Sequence, residues 1–316
     1  MKQPFIILTG PTASGKTALS VELAKKIGGE IISADSMQVY RHMDVGSAKV
    51  TKEEMGGIPH HLIDVLDPQD AFNVVVFQKL AKKAMEEIYR RGHIPIIAGG
   101  TGFYIQALLY DIDFTENDGD MEYRHRLEVL AEEQGAVVLH DMLKQVDPES
   151  AQAIHANNVK RVIRALEFYE KTGQKISEHN EEERRKESPY NFAYYVLNME
   201  RGILYERIDR RVDLMFEQGL EKEVKKLKAM GCTRDMVSMQ GLGYKEVLDY
   251  LNGEISLDEA AYMIKRDTRH FAKRQLTWFK REKEVTWVDQ DRFGFDRARI
   301  LEWMVNDLKE RGILWN

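Results

Sequence analysis

The chain has 316 residues, a formal net charge of −6, 43% hydrophobic residues and 31% charged residues. This length suits one large core or two domains, and the hydrophobic fraction is ordinary for a globular protein. No apolar run approaches the ~20 residues of a membrane span, and an apolar strand begins near the N-terminus, so we expect a cytoplasmic protein without membrane contact. The single cysteine, Cys232, excludes an internal disulfide and a cysteine-rich metal site.

The first element is an apolar run that leads into a phosphate-binding motif. Residues 5–9 (FIILT) predict a strand, and GPTASGKT at 10–17 opens a helical pattern. This order is typical of a P-loop, in which backbone N–H groups and a helix N-terminus surround a polyphosphate. Lys16 would reach the outer phosphate, and the Thr17 hydroxyl would hold Mg²⁺. The residues predicted to bind the phosphate are Gly10, Pro11, Thr12, Ala13, Ser14, Gly15, Lys16 and Thr17.

Two further strand ends are predicted at the same edge of the sheet. A buried strand at 31–34 ends at Asp35, and another at 94–98 runs into GGTG at 99–102, which contains Thr101. Ligands of open α/β sheets bind at the carboxyl ends of the strands, so these turns should share one rim with the P-loop. Asp35 could also be a helix N-cap or a turn former. In many P-loop hydrolases the corresponding strand ends in an Asp, whereas here it runs into GGTG. This difference argues against an ATP hydrolase.

The segment between these strands is polar and rich in glycine. Residues 44–60 predict a mobile loop, and 72–91 predict an amphipathic helix. His60 and His61 could suggest a metal site. Adjacent residues of a strand point to opposite faces, however, which favours hydrogen bonds that anchor the loop.

The alternation of strands and helices stops between residues 113 and 190. We interpret 113–190 as a small all-helical domain inserted into an α/β core formed by 1–112 and 191–316. The predicted helices of the insertion lie at 121–134, 137–145 and 148–172, followed by a solvated charge run at 177–187. Its cationic residues could be a solvated face or phosphate contacts, and they include Arg124, Lys160, Arg161 and Arg164.

The C-terminal third carries the strongest concentration of positive charge. A strand at 192–198 precedes a helix at 201–229, which begins with several arginines, among them Arg207. Residues 265–283 contain eight Lys or Arg against two acidic residues. On the helix at this position, Arg266, Arg269, Lys273 and Lys280 predict one basic stripe, opposite a buried side formed by Ile264, Phe271 and Trp278. With only one acidic residue within the stripe, mutual repulsion is expected to be uncompensated, which favours a polyphosphate or nucleic-acid partner.

Together, these motifs resemble the bacterial tRNA dimethylallyltransferase (tRNA isopentenyltransferase) family over nearly the whole chain. The motifs are GPTASGKT at 10–17, DSMQVYR at 35–41, PHH at 59–61, GGTGFY at 99–104, KRVIR at 160–164, GLGY at 241–244 and TRHFAKRQLTWF at 268–279. The resemblance implies an α/β fold of the P-loop NTPase type, with a parallel sheet flanked by helices and an inserted all-helical domain. It also suggests a monomer.

The resemblance implies transfer of a dimethylallyl group from dimethylallyl diphosphate to N6 of the adenine 3′-adjacent to the anticodon. The substrates would be tRNAs that read codons beginning with U. Asp35 would be the general base, with Lys16, Thr101 and Arg207 also at the reacting groups, while the P-loop and Mg²⁺ stabilise the leaving diphosphate. The implied contacts with the tRNA anticodon stem-loop are Asp35, Ser36, Met37, Gln38, Thr101, Arg124, Lys160, Arg161, Val162, Ile163, Arg164, Gln240, Gly241, Lys245, Arg269 and Lys273.

Two other functions fit the residues alone. A small-molecule or nucleotide kinase would bind ATP at the P-loop, use Asp35 to accept a substrate hydroxyl proton and close the helical insertion as a lid. A non-catalytic RNA-binding protein would keep the basic stripe beside a vestigial P-loop.

Overall fold

One six-stranded sheet forms the core of the larger part of the chain, and each of its described strands is parallel to its neighbours. The computed structural model describes residues 2–114 and 121–314. The strand order is β3-β2-β4-β1-β5-β6. The strands are β1 (Gln3–Thr9), β2 (Gly29–Ala34), β3 (His60–His61), β4 (Ile94–Gly99), β5 (Tyr190–Asn198) and β6 (Val285–Asp289). The predicted parallel α/β sheet is confirmed.

Helices surround the sheet and also form a separate group in the middle of the chain. In the first half they are α1 (Lys16–Ile27), α2 (Lys52–Met55), α3 (Val74–Arg90), α4 (Gly102–Leu109), α5 (Met121–Gln134), α6 (Ala136–Val146) and α7 (Pro148–Ala153). In the second half they are α8 (Val159–Thr172), α9 (Ile176–Arg185), α10 (Arg201–Glu217), α11 (Leu220–Ala229), α12 (Tyr244–Leu251), α13 (Leu257–Phe279) and α14 (Arg297–Glu310). Short 3-10 turns lie at Ser238–Gln240 and Gln290–Phe293. None of the described helices is long and apolar enough to cross a bilayer.

The central strand β1 is buried on both faces because helices cover both sides of a parallel sheet. Ile6 and Leu8 pack with Leu19 and Leu23 of α1 and with α14. The alternate residues of β1 are equally inaccessible. The strand is therefore a rigid base for the loop that follows it.

The chain divides into two compact units, Met1–Leu109 with Pro189–Asn316, and Tyr110–Ser188. Every element described in the second unit, the helical unit, is a helix, and Leu139, Leu143 and Val162 belong to its own apolar core. Asp147 joins two of these helices, because it accepts hydrogen bonds from the backbone and hydroxyl of both Ser150 and Ser177. Burial would raise the pKa of Asp147, but these hydrogen bonds outweigh it and lower that pKa.

Three predicted elements differ from the structure. The predicted loop at 44–60 contains α2, whose N-terminus is capped by Thr51 through a capping box. The predicted helix at 148–172 is two helices, α7 and α8, with residues 154–158 between them. The predicted helix at 201–229 also breaks in two, where Gly219 adopts a φ of 98° that a residue with a side chain rarely accepts.

The two histidines of β3 make the predicted kind of hydrogen bond. His60 Nδ1 lies 2.8 Å from Ile58 O, and His61 Nε2 lies 2.7 Å from Glu30 Oε2. Burial would raise the pKa of Glu30, but hydrogen bonds from Arg91, His61 and His93 outweigh it and bring the pKa to about 2. Within the described ranges, no group of three or more His, Cys, Asp or Glu could hold a metal ion.

Candidate active site at the carboxyl rim of the sheet

The P-loop leaves β1 and curls into the first turn of α1. Its backbone has a positive φ at Ala13 (62°) and Gly15 (87°), and Gly15 is the residue before the helix. Gly10 makes a close approach, because a Cβ added there would lie 2.7 Å from the carbonyl oxygen of Leu197 in β5. Ser14 is fully buried, and its Oγ has no hydrogen-bond partner among the residues described. A buried hydroxyl of this kind is suited to a ligand oxygen.

The side chain of Lys16 folds back onto the P-loop. Its Nζ donates a hydrogen bond to Pro11 O at 2.7 Å. Burial, together with the nearby guanidinium of Arg211, lowers the pKa of Lys16 to about 7, while Asp35 acts in the opposite direction. The loop therefore places a weakly solvated amine within the electrostatic influence of both a second cation and a carboxylate.

Arg211 supplies a cation that sequence reasoning did not single out. It is half-buried on α10, and burial lowers its pKa while Asp35 and Glu54 act to raise it. Arg207, which was predicted to reach the reacting groups, is exposed, and its guanidinium lies 5.2 Å from the ring centroid of Phe295. The sequence signal that could have identified Arg211 is its position four residues after Arg207, which places the two side chains one helical turn apart.

Asp35 and Thr101 lie just after β2 and β4, where the ends of these two strands touch. The N–H of Thr101 donates to Ala34 O at 3.2 Å, and a Cβ on Gly99 would lie 2.4 Å from the same carbonyl. Asp35 Oδ1 accepts from the N–H of Met37 at 2.8 Å and of Gln38 at 3.3 Å. Asp35 therefore stabilises a turn, which was one alternative predicted from the sequence. Its carboxylate also lies at the carboxyl rim of the sheet.

Buried aromatic residues support this part of the rim. Tyr104 of α4 stacks on Phe77 with a centroid distance of 4.6 Å and meets Phe72 edge-on at 5.6 Å. Burial, with smaller contributions from Tyr40 and Asp35, raises the pKa of Tyr104 to about 12. The phenol therefore stays neutral at physiological pH.

Two glutamines outside the P-loop hold its backbone. Gln275 of α13 accepts a hydrogen bond from Thr12 N at 2.9 Å and donates one to Gly100 O at 2.9 Å. Gln290 donates to Ser14 O at 3.0 Å. Sequence reasoning missed both residues, because uncharged amides give no signal in a charge pattern, although Gln275 lies inside the motif at 268–279.

The segment of the core predicted to contact tRNA also lies beside the rim. A Cβ on Gly241 would lie 2.7 Å from the sulfur of Met37, so the GLGY turn packs directly on the loop after Asp35. Gln240 is exposed and its amide donates to Arg234 O, and Lys245 Nζ lies 3.5 Å from Glu246 Oε1. Ser36 and Gln38 are half-buried in the same loop.

The basic stripe on α13 is partly neutralised, so the expectation of uncompensated repulsion is wrong. Arg269 pairs with Asp209 of α10 at 2.5 Å, and Arg266 pairs with Asp267 at 2.8 Å. Lys280 lies just beyond the last helical residue. Lys273 is exposed, and it takes part in none of the ion pairs found among the described residues.

The predicted tRNA contacts of the helical unit differ in their exposure and in their partners. Val162 and Ile163 are buried in the core of that unit, and Lys160 and Arg161 are exposed. Arg124 forms a bidentate ion pair with the buried Glu167, at 2.8 and 2.6 Å. Burial lowers the pKa of Arg164. Contact of these residues with tRNA stays a prediction.

Residues 38–282 match the protein family described as IPP transferase. The match begins after the P-loop and Asp35. A curated protein named tRNA dimethylallyltransferase from Lachnoclostridium phytofermentans is 62% identical over 312 residues, covering 99% of both chains. One of the same name from Carboxydothermus hydrogenoformans is 52% identical over 297 residues, covering 94% of this chain and 95% of that protein.

Solved structures of similar proteins have the same fold. The full-length tRNA isopentenylpyrophosphate transferase from Bacillus halodurans is 46% identical, with a TM-score of 0.72 over 99% of this chain and 98% of that one. A eukaryotic dimethylallyltransferase acting on tRNA is 31% identical, with a TM-score of 0.81 over 91% of this chain and 74% of that one.

Proposed function

Because this chain belongs to the IPP transferase family, we propose that it transfers a dimethylallyl group from dimethylallyl diphosphate to an adenine of tRNA. The acceptor is N6 of the adenine 3′-adjacent to the anticodon, in tRNAs that read codons beginning with U. The observation that carries this proposal is the P-loop, with Lys16 and the buried Ser14 hydroxyl, on the same rim as the carboxylate of Asp35. A carboxylate base and a cationic diphosphate site are the two parts that such an alkylation needs.

The P-loop would bind the diphosphate as a leaving group. Its backbone N–H groups, the Ser14 hydroxyl, Lys16 and Arg211 would surround the phosphate oxygens, on which negative charge grows as the C1–O bond breaks. Charges that are fixed in place before reaction stabilise such a transition state most effectively. No hydrolytic water has to be activated, which explains why β4 ends in glycines and Thr101 instead of an Asp.

Asp35 would remove the proton from the attacking amine. The N6 lone pair is delocalised into the adenine ring, so N6 is a weak nucleophile until it loses a proton. As N6 bonds to C1 of the dimethylallyl group, diphosphate leaves with the electrons of the C1–O bond and the N6 proton passes to the carboxylate. A positioned general base contributes about 10²- to 10⁴-fold. Oδ1 is held by the turn, so Oδ2 is the oxygen assigned to this proton.

Thr17 fits a magnesium ion of the kind that binds with a phosphate ligand. It is exposed at the second position of α1, directly after Lys16. Mg²⁺ commonly takes one or two protein ligands and completes its shell with water and phosphate oxygens, so one hydroxyl beside the diphosphate is sufficient. When bound, the ion would neutralise charge on the diphosphate. A Thr17→Val variant should lower the affinity for Mg²⁺ with pyrophosphate, measured by calorimetry, and Thr17→Ser should restore it.

The target base must leave its stack to reach this rim, which costs least in a single-stranded loop. We assign its recognition to Asp35, Ser36, Met37 and Gln38, with the adjacent Gln240, Gly241 and Lys245. Lys273 and Arg269 would contact the phosphate backbone. The protein is proposed to act as a cytoplasmic monomer.

A kinase is not favoured, because the relatives at 62% and 52% identity are both named as dimethylallyltransferases. The deciding experiment incubates the protein with unmodified tRNA and either dimethylallyl diphosphate or ATP. We expect a mass gain of one dimethylallyl group on the adenine after the anticodon, only with the first substrate. Turnover of ATP with a small hydroxyl acceptor would establish the kinase instead.

Replacing the base should separate chemistry from binding. Asp35→Asn keeps an oxygen for the turn but cannot accept the N6 proton, so the single-turnover rate should fall at least about 10²-fold. The affinity for tRNA, measured by filter binding, should change little. A normal single-turnover rate with weakened tRNA binding would refute the role of Asp35 as base.

A further inference from the structure

The glycines on either side of Thr101 make room for two side chains of α13. A Cβ on Gly100 would lie 2.1 Å from Gln275 Nε2, and a Cβ on Gly102 would lie 2.2 Å from Trp278 Cδ1. Neither glycine has a positive φ, so the backbone conformation alone does not demand them. The close approach that the GGTG sequence predicts is therefore made by helix α13, which flanks Thr101 on both sides.

Gln275 also reaches the P-loop, so one amide joins two turns of the rim. Its oxygen accepts from Thr12 N and its nitrogen donates to Gly100 O, both at 2.9 Å, and the side chain is 6% exposed. The Thr12 N–H is thereby directed at a protein oxygen. Only a group that both accepts and donates can make these two bonds, because an N–H faces one end of the amide and a carbonyl faces the other.

We propose that Gln275 is a positioning residue, which fixes the distance between the diphosphate site and the Thr101 turn. This inference rests on the proposed function. The P-loop would hold the leaving group, and the Thr101 turn lies beside the base Asp35. Their separation therefore sets how far C1 of the isoprenoid stands from the attacking nitrogen. Small displacements of reacting groups strongly reduce rates, so loss of the amide should act on the chemical step.

The test compares two variants of nearly the same size. Gln275→Glu keeps an oxygen that accepts from Thr12 N but places a second carboxylate oxygen against Gly100 O, where the two oxygens repel each other. Gln275→Met removes both hydrogen bonds. Each should lower the single-turnover rate with saturating substrates by about 10- to 100-fold, the effect of losing a buried hydrogen bond. The dissociation constant for tRNA should stay within about 2-fold of wild type.

A pH series distinguishes positioning from general damage. The carboxyl introduced by Gln275→Glu can donate to Gly100 O when it is protonated, so this variant should recover part of its rate as the pH falls from 8 to 6. Gln275→Met should not recover. Rates are taken relative to wild type at each pH, which removes the titration of Lys16 from the comparison.

Gln78→Glu is the matched control, since Gln78 is a buried glutamine that donates to Ala107 O at 2.8 Å away from the P-loop. It should lower the melting temperature without changing the rate of the folded enzyme. If wild type modifies tRNA and Gln275→Glu does so equally fast, or if its loss of rate is not relieved at low pH, the positioning role is wrong. If wild type itself transfers no dimethylallyl group, the proposed function fails instead.

Discussion

At the scale of single residues, the site depends on charges that the fold keeps away from water. Lys16 lies beside another cation, Arg211, and both have their pKa lowered by burial first of all. A bound diphosphate would offset both costs, because each cation would then have an anionic partner. The proposed ligand therefore complements two cations whose charge the fold disfavours.

The lowered pKa of Lys16 should make pyrophosphate binding depend on pH. Since this pKa is about 7 in the unliganded protein and a bound anion raises it, binding should require proton uptake at pH 8 and little at pH 6. Calorimetry in buffers with different ionisation heats measures that uptake. Lys16→Met should abolish it, whereas Lys25→Met, an exposed lysine of the same helix, should not. Equal uptake by wild type and Lys16→Met would contradict the assignment to Lys16.

Arg211 and Arg207 can be separated by substitution. Arg211→Ala should lower the transfer rate by about 10²- to 10³-fold, as the loss of one preorganised charge does in other active sites. It should also raise the pH at which Lys16 titrates, since a neighbouring cation is removed. Arg207→Ala should change the rate by less than about 3-fold, because that guanidinium is exposed over Phe295. The reverse order would favour the assignment of Arg207 made from sequence.

At the scale of elements, helix α13 carries different functions on its two sides. Its outer side exposes Lys273, and its inner side inserts Gln275 between two turns of the rim. The seven-residue spacing of Ile264, Phe271 and Trp278 predicted the buried side only in part. Ile264 is buried, but Phe271 and Trp278 are only half-buried, and the buried residues further along the helix are Ala272, Gln275 and Phe279.

The ion pairs of α13 predict unequal contributions to tRNA binding. Lys273→Ala should weaken binding and lower the slope of log affinity against log salt by about one, because one phosphate contact is lost. Arg269→Ala should have a smaller effect, since Asp209 already holds that guanidinium at 2.5 Å. Filter binding at salt concentrations from about 50 to about 200 mM measures these slopes and so tests both substitutions. An unchanged slope for Lys273→Ala would place the tRNA elsewhere.

The sequence predicted the local parts of the site and missed those that depend on distant partners. The P-loop, Asp35 and Thr101 each follow a strand, and parallel strands carry their carboxyl ends to one edge, so the rim could be inferred. Asp209 neutralises Arg269 from another helix, and Gln275 reaches Thr12 across a large part of the chain. Spacing along a single element contains no information about either contact.

At the scale of the whole molecule, the sheet and the helical unit each have their own means of stabilisation. The sheet rests on apolar packing, whereas Asp147 fastens α7 and α9 of the helical unit through a buried carboxylate. Because the pKa of Asp147 is lowered, its contribution is complete above the ordinary carboxyl pKa and is lost as pH falls through the lower, folded-state value.

Replacing this carboxylate should loosen the helical unit selectively. Asp147→Asn should cost about 1–3 kcal/mol, because an amide cannot accept from two backbone N–H groups and two hydroxyls at once. Hydrogen exchange should quicken in α7 and α9 and stay unchanged in β1. Asp141→Asn, an exposed substitution in the same unit, should change the stability by less than about 0.5 kcal/mol. Equal effects of the two substitutions would show that the Asp147 network contributes little.

The pairing of β1 with β5 has a consequence for biosynthesis. Gln3–Thr9 pairs along its length with residues that follow the entire helical unit, and Gln275 comes later still. A ribosome that adds about 5–20 residues per second needs roughly 10 to 40 seconds to proceed from β1 to β5. During that time one edge of the P-loop strand has no partner, and an unpaired apolar strand favours aggregation. We therefore expect the nascent chain to depend on chaperones that bind exposed strands until β5 emerges.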